Sequence, residues 1–424
     1  MQSERDAVIL QILRQRGTIS VADCAAEFGC AQMTVRRDLQ RLEEQGLLRR
    51  VHGGATRILQ PVQPARLPRV RGLLDARAAV VDHSDVFIIT PTGAMTIGLL
   101  AERARRAGTP CVSEAIRQPG AVTQVAIDDY QAGLELGRWV GQHTPPCVGD
   151  HLHVLVIDQR LPNTEGRSRG FSEGLHATRP DSCSFVRLFG DGLRQTAHRL
   201  TSEALSLRPE INVIFGINDD CALGGLDAYR ALSLPEEGLL VATCGVEGGS
   251  FRRELKSDGP CKVGLAMFPE AVGRACIDAA VCAFNHCPLP ERITTPFAVV
   301  TAATLDHYYT HEPDTDMWTI NWPVVQRLSS ASTGYRLLTD HNHRMIPAQI
   351  GYALVYNTHE WYSNVRRAMD ERCRSLGIRL ETIVLPGNIC VIRENQAAWA
   401  ALGKPSRRNA SAADISRTPR SVTR

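Results

Sequence analysis

The chain has 424 residues, of which 43% are hydrophobic and 22% charged, and its formal net charge at neutral pH is +3. That length supports two or three domains with substantial cores, while the near-neutral balance excludes a chain that coats nucleic acid along its whole surface. No stretch approaches the roughly 18 uninterrupted apolar residues of a membrane span, and the N-terminus reads as a charged amphipathic helix instead of a signal peptide. A soluble, cytoplasmic protein with no membrane partner is expected.

Thirteen cysteines form no CxxC pair and mostly occupy apolar or helical runs such as VATCGV and GRACIDAAVCAF, so reduced, buried thiols are expected. The pairs His151/His153 and His341/His343 and the group Cys282, His286 and Cys287 lack a second pair at recognised zinc spacing, and no metal is assigned. There is no G-x-S-x-G elbow, no P-loop and no G-x-G-x-x-G at a strand–helix junction. Neither an enzyme nor a cofactor is expected.

In chain order, residues 3 to 15 give a first helix closed by Gly17, with Val8/Ile12 and Ile9/Leu13 paired at i and i+4. Val21, Cys24, Ala25 and Phe28 then set one helical stripe, and Val35, Leu39 and Leu42 set another, with Gly29 between them. Ser20 is placed to cap the first helix and Gly46 to stop the second. A short helix, a turn and a second helix make a helix-turn-helix. The second helix turns Met33, Arg37, Gln40 and Glu44 away from its apolar stripe, flanked by Thr34, Arg36 and Arg41. Its N-terminal end, with Gln32, is the end that enters a major groove, where arginine pairs with guanine edges or phosphate. Arg49 and Arg50 precede His52-Gly53-Gly54, read as the tip of a two-stranded wing beside the phosphates. TVRRDLQRLEEQG followed by LLRRVHGGA resembles the DeoR type of winged helix-turn-helix repressor over most of residues 3 to 57. Ala31 departs from it, standing where that family usually has a capping serine. The resemblance implies double-stranded operator DNA as partner.

Residues 1 to 57 are thus expected to form the DNA-binding domain and 58 to 69 a proline-rich linker. From 70 to 302 amphipathic segments separate the apolar runs DVFIIT, PCV, VTQVAI, HLHVLVI, CSFVRLF, NVIFG, LLVATCG, CKVGLA and FAVVT, which predicts a parallel sheet wrapped by helices. Polar or glycine-rich elbows at TPTG, DQRLPN, INDD and GVEGG follow strands, where ligands bind in open α/β sheets. DVFIITPTGAM, VAIDDYQAGLELGRWV, NTEGRSRGFSEGL, NVIFGINDDCALGGLDAYRAL and CKVGLAMFPEAVGRACIDAA resemble, in this order, the type I periplasmic-binding-protein fold. That resemblance implies an α/β fold of two lobes closing on a small polar ligand, most often a sugar or polyol.

The opening strand–helix–strand of that fold has no room before residue 70. Residues 349 to 384, within a unit of 349 to 390, read as that missing piece, so the sensor is expected to be circularly permuted. The rival is a truncated second sensor beginning at 349, which one such unit would leave unable to bury its faces. Residues 303 to 348 read as an irregular connection, and 391 to 424 as a mostly disordered basic tail.

The resemblance places Asn218 and Asp219, Glu247, Glu114 and Arg167 (or Arg169) at the ligand, with Trp361 and Tyr362 as stacking aromatics and Asn357 nearby. Asn218 or Asp219 can equally cap the following helix, and the aromatic pair can be helix packing. Met267 stands where a polar amide is common. The expectation is a ligand-responsive transcription regulator of carbohydrate metabolism or transport, a repressor acting as a homodimer or higher homo-oligomer. The alternative is a constitutive DNA-binding protein with a degenerate sensor.

Overall fold

The structure, a computed structural model, describes residues 9, 18–21, 24–25, 28, 30–44, 49–51, 54–56, 80–90, 95–314, 317–330, 345–354 and 360–385. The chain divides into two compact units, Met1–Leu73 and Leu74–Arg424.

In the first unit, strands β1 (Thr18–Ser20), β2 (Arg49–Val51) and β3 (Gly54–Thr56) form an antiparallel sheet in the order β1-β3-β2. The wing therefore has three strands where the sequence suggested two. β1 escapes notice because three residues show no alternation, yet Ile19 is buried and Ser20 pairs with Gly54. Helix α1 (Gln32–Glu44) buries Val35, Leu39 and Leu42, one stripe at i, i+4 and i+7, against Ile9, Val21, Cys24 and Ala55.

The second unit holds two six-stranded sheets, one per lobe. Lobe one begins with β4 (Val86–Ile89), α2 (Met95–Ala107), β5 (Cys111–Glu114) and β6 (Thr123–Ala126), after which α3 (Asp129–His143) carries the chain into lobe two. There β7 (Leu152–Asp158), α4 (Pro162–Thr178), β8 (Cys183–Phe189), α5 (Arg194–Leu207), β9 (Val213–Gly216) and α6 (Asp219–Ala231) alternate. They are followed by β10 (Leu240–Thr243), α7 (Gly249–Lys256), β11 (Cys261–Ala266) and α8 (Pro269–Phe284). The runs of Val, Ile and Leu in β4, β7 and β9 are buried on both faces, as parallel strands covered by helices must be.

β12 (Arg292–Thr294) returns to lobe one and pairs with β6; β13 (Ala298–Val300) lies antiparallel to β11 in lobe two, the exception to an otherwise parallel order β13-β11-β10-β9-β7-β8. The stretch expected to be irregular is not wholly so. It contains α9 (Leu305–Tyr308), a hairpin of β14 (Tyr309–Glu312) and β15 (Met317–Ile320), and α10 (Trp322–Ser330). Leu305, Tyr309 and Val325 insert into the lobe-two core. The hairpin strands are short, polar and half exposed, so they carry little apolar signal.

β16 (Gln349–Leu354), α11 (Glu360–Leu376) and β17 (Arg379–Val384) end the described chain. β16 lies between β4 and β17, parallel to both, so the lobe-one sheet runs β12-β6-β5-β4-β16-β17. Tyr352 on β16 is fully buried and its hydroxyl lies 3.1 Å from that of Thr90. α11 packs on α8, where Val365 and Met369 meet Val272 and Cys276, and Arg372 donates to the buried Asp278 at 2.7 Å.

Helices α3 and α4 touch backbone to backbone. A Cβ on Gly137 would collide with the carbonyl of Phe171, and one on Gly170 with that of Tyr130. Glycine at these positions sets the separation of the helices.

Candidate functional site

On α1, Gln32, Met33, Arg36, Arg37 and Gln40 are exposed, and Thr34 and Arg41 are half-buried. Six of the proposed DNA contacts thus stand clear of the stripe that anchors the helix, and the seventh, Arg41, donates to the buried Asp38 at 3.0 Å. That ion pair, absent from the sequence reading, holds the Arg41 guanidinium along the helix. Arg49 and Arg50 fall on β2, and His52 lies outside the described residues.

In the second unit a cavity opens between the lobes, and its walls come from the carboxyl ends of strands on both sides. Lobe two contributes Gln159 after β7, Asp191 after β8, Asn218 and Asp219 after β9, Gly245 and Glu247 after β10, and Met267 after β11. Lobe one contributes Ala115 after β5, and Glu360, Trp361 and Tyr362 at the start of α11. Trp361 packs against the cores of both lobes.

The structure therefore brings Arg167, Asn218, Asp219, Glu247, Trp361 and Tyr362 to one cavity. Asn357 lies outside the described residues. Glu114 is not on the wall: it ends β5, fully buried, one residue before the lining Ala115. Burial pushes its carboxyl up to about 7, and neither of its oxygens has a hydrogen-bond partner among the described residues. Of the two arginines left open, Arg167 is buried and lines the cavity, whereas Arg169 is exposed and lies over the ring of Tyr130 at 5.1 Å.

The two readings of the Asn218/Asp219 pair separate by residue. Asn218 caps α6, its Oδ1 accepting from the Cys221 amide at 2.8 Å, while its Nδ2 donates to the Gly192 carbonyl. Asp219 is the first helical residue, and its Oδ2 accepts the amides of Glu247 and Gly248, both at 2.8 Å. Oδ1 has no partner. Glu247 repeats the arrangement: Oε1 accepts the Met267 amide at 3.1 Å and Oε2 has no partner among the described residues. Met267, which replaces the amide expected from relatives, therefore contributes through its backbone.

Burial pushes the Asp219 carboxyl up to about 7, with the Glu360 charge adding to the shift and the Gly248 amide opposing it. Burial likewise raises Glu247 to about 8, helped by Asp219 and Glu270. Arg167 Nε donates to Asp129 at 2.6 Å, so the arginine of the described lining already has a carboxylate partner, itself raised by burial. Gln159, Asp191 and Glu360 were missed as lining residues. Gln159 sits in the DQRLPN elbow, Asp191 in an unmarked FGDG elbow after β8, and Glu360 next to the aromatic pair. Applying the strand-end rule to every strand would have found the first two. Among the described residues no group of three metal-ligating side chains occurs, and no helix is long and apolar enough to cross a membrane.

Residues 5–60 match the DeoR-like helix-turn-helix domain family. The head is a DeoR-type helix-turn-helix domain. Among curated relatives, the chain is 25% identical over 164 residues to the lactose phosphotransferase system repressor of Streptococcus mutans, covering 37% of this chain and 64% of that protein. It is 24% identical over 197 residues to the ribose import binding protein of Haemophilus influenzae, covering 46% of this chain and 64% of that protein. The chain thus spans less than two thirds of the length of either relative. A solute-binding protein of an ABC transporter from Mycobacterium smegmatis, solved with bound glycerol, superposes with a TM-score of 0.51 at 18% identity, over 57% of this chain and 84% of that one. Behind the DeoR-type head, the larger unit has the periplasmic-binding-protein fold.

Proposed function

We propose that this chain is a transcription regulator, a repressor of genes for carbohydrate metabolism or transport, whose affinity for operator DNA is set by a small polar ligand bound between the lobes. The observation that carries the reading is the pairing, in one chain, of an exposed cationic recognition helix with a partly open, aromatic-walled cavity that carries a few polar and acidic side chains. The sugar-operon repressor and sugar-import protein among its relatives support both halves. Gln32, Met33, Thr34, Arg36, Arg37, Gln40 and Arg41 read the major groove, with Arg49, Arg50 and His52 on the wing against the backbone. The protein works in the cytoplasm as a homodimer, and lobe closure alters how two heads meet a two-fold site.

The sensor is a circularly permuted form of the fold, residues 349 to 384 serving as its opening unit. The central place of β16 in the lobe-one sheet supports this over a truncated second sensor.

Arg167, Asn218, Asp219, Glu247, Trp361 and Tyr362 hold the ligand, with Asn357 beside them and Glu114 supporting Trp361 from behind. A degenerate sensor is the second reading, and the substitution at Met267 favours it. Against it stand two buried carboxyl groups on the lining, each with one oxygen that has no partner among the described residues, an arrangement a mere remnant has no reason to maintain.

Two variants test the proposal on a duplex enriched from a random pool. Arg36→Ala with Arg37→Ala should abolish gel-shift binding, and unchanged affinity would remove the recognition helix from the account. Trp361→Ala should keep DNA binding and lose the ligand response; a retained response would move the ligand elsewhere.

A further inference from the structure

We infer that the ligand of the inter-lobe cavity carries a protonated amine on its polyhydroxylated frame, held between Asp219 and Glu247. This rests on the reading of the cavity as a small-molecule sensor and narrows the ligand from sugars in general to their cationic, amino-bearing forms.

The charge of the walls gives the first argument. Asp191, Asp219, Asp220, Glu247 and Glu360 line the cavity, and the arginine of the described lining, Arg167, is neutralised by Asp129. Arg252 lies outside the lining, and its charge favours the ionised forms of Asp219 and Glu247. Its Nε donates to the Val246 carbonyl at 2.7 Å, and its guanidinium lies 4.0 Å from the ring of Tyr309, outside the lining. A cation favours the ionised form of these buried carboxyl groups, whereas an anionic ligand, a sugar phosphate included, gains nothing from them and holds them in their protonated form.

The second argument is the state of individual atoms. Asp219 and Glu247 are 7% and 8% exposed, and both border the cavity. Each has one oxygen fixed by backbone amides and the other without a partner among the described residues. Buried acceptors of this kind call for a donor. Asn163, also on the wall, adds an unpartnered Oδ1.

Some donors on the wall are already engaged, since Arg167 Nε and the Asn218 amide donate to Asp129 and the Gly192 carbonyl, which leaves the Arg167 Nη groups for ligand hydroxyls. A neutral sugar brings hydroxyls that must accept as well as donate. An ammonium brings three donors, no acceptor and a charge, which is what the surplus of acceptors lacks. Trp361 and Tyr362 supply aromatic faces suited to an apolar ring face or to the cation.

The test is titration calorimetry on the full chain at pH 7.5 with matched series. These comprise D-glucosamine, D-galactosamine and 1-amino-1-deoxy-D-sorbitol, their neutral parents, their N-acetyl forms and the corresponding sugar 6-phosphates. The expected result is at least one free amine binding roughly 10- to 100-fold more tightly than its parent and its N-acetyl form, with no phosphate binding. Asp219→Asn and Glu247→Gln, which keep shape and remove charge, should each shrink that ratio. A neutral parent that binds as tightly as its amine overturns this inference and leaves the sensor standing. So does an amine preference that neither substitution alters. Failure of every compound in all four series overturns the sensor reading, and this inference with it.

Discussion

The two lobes of the larger unit share one architecture but are assembled differently. The strands of lobe two all come from residues 152 to 300, interrupted by β12, whereas those of lobe one come from three separate stretches, 86–126, 292–294 and 349–384. Lobe two can close on itself as it is made; lobe one must wait for the end of the chain. The late arrival is also central. β16 fills the gap between β4 and β17, Tyr352 and Val365 complete the core, and α11 brings Glu360, Trp361 and Tyr362 to the cavity. Stability of lobe one and chemistry of the site therefore depend on the same C-terminal segment.

The largest effect should come from ending the chain at Ser330. Loss of β16 strips β4 of a parallel neighbour and exposes the face of α8 that α11 covers, so cooperative unfolding of lobe one should disappear and proteolysis should cut within residues 80 to 126. Melting like that of the full chain would refute the dependence.

Lobe two should instead be broken by single substitutions at its own contacts. Arg167→Ala leaves Asp129 buried without its partner and should cost about 3–5 kcal/mol in urea unfolding at neutral pH, with much of the loss recovered in acid, where Asp129 is protonated. A smaller loss, about 1–3 kcal/mol, is expected for Gly137→Leu, which forces α3 away from α4. If the glycine tolerates leucine without a shift in midpoint, the close helix contact is not structural.

The smallest stability effect separates site from scaffold. Asp219 and Glu247 hold their protons to about 7 and 8 in the folded, ligand-free protein, against ordinary values of 3.8 and 4.5. Between these limits the folded state binds more protons than the unfolded one, so the stability these groups contribute in acid is lost as pH rises from about 4 to about 8. Asp219→Asn removes one of the two titrations. The variant should melt roughly 2–6 °C above wild type at pH 8 and level with it at pH 4. A variant less stable than wild type at pH 8 would mean that Asp219 is already charged and compensated.

The same contrast explains what could be read from sequence. Lobe two was legible because HLHVLVI, NVIFG and LLVATCG are unbroken apolar runs with elbows behind them. In lobe one, residues 349 to 384 were legible as a strand, a helix and a strand, and they lie in the lobe-one sheet and against α8. The elements that escaped are short and polar: β1, β12 with its exposed Arg292, and the hairpin of Tyr309–Glu312 and Met317–Ile320, which is anchored by Tyr309 and not by a stripe. At the site, a motif could mark a position but not how each atom is satisfied. That Asn218 caps while Asp219 faces the cavity, and that Glu114 stands one residue behind the wall, depends on the turn after each strand, which residue types leave open.

The most direct test of the account joins the two units. It measures the affinity of the full chain for its selected DNA duplex with and without the ligand found by calorimetry, for wild type and for Asp219→Asn. The account predicts that ligand changes wild-type affinity by about tenfold or more, as typical coupling energies allow, and changes that of the variant little at the same concentration. Equal wild-type affinity with the cavity filled and empty would contradict it, leaving a DNA-binding protein whose second unit binds without controlling the first.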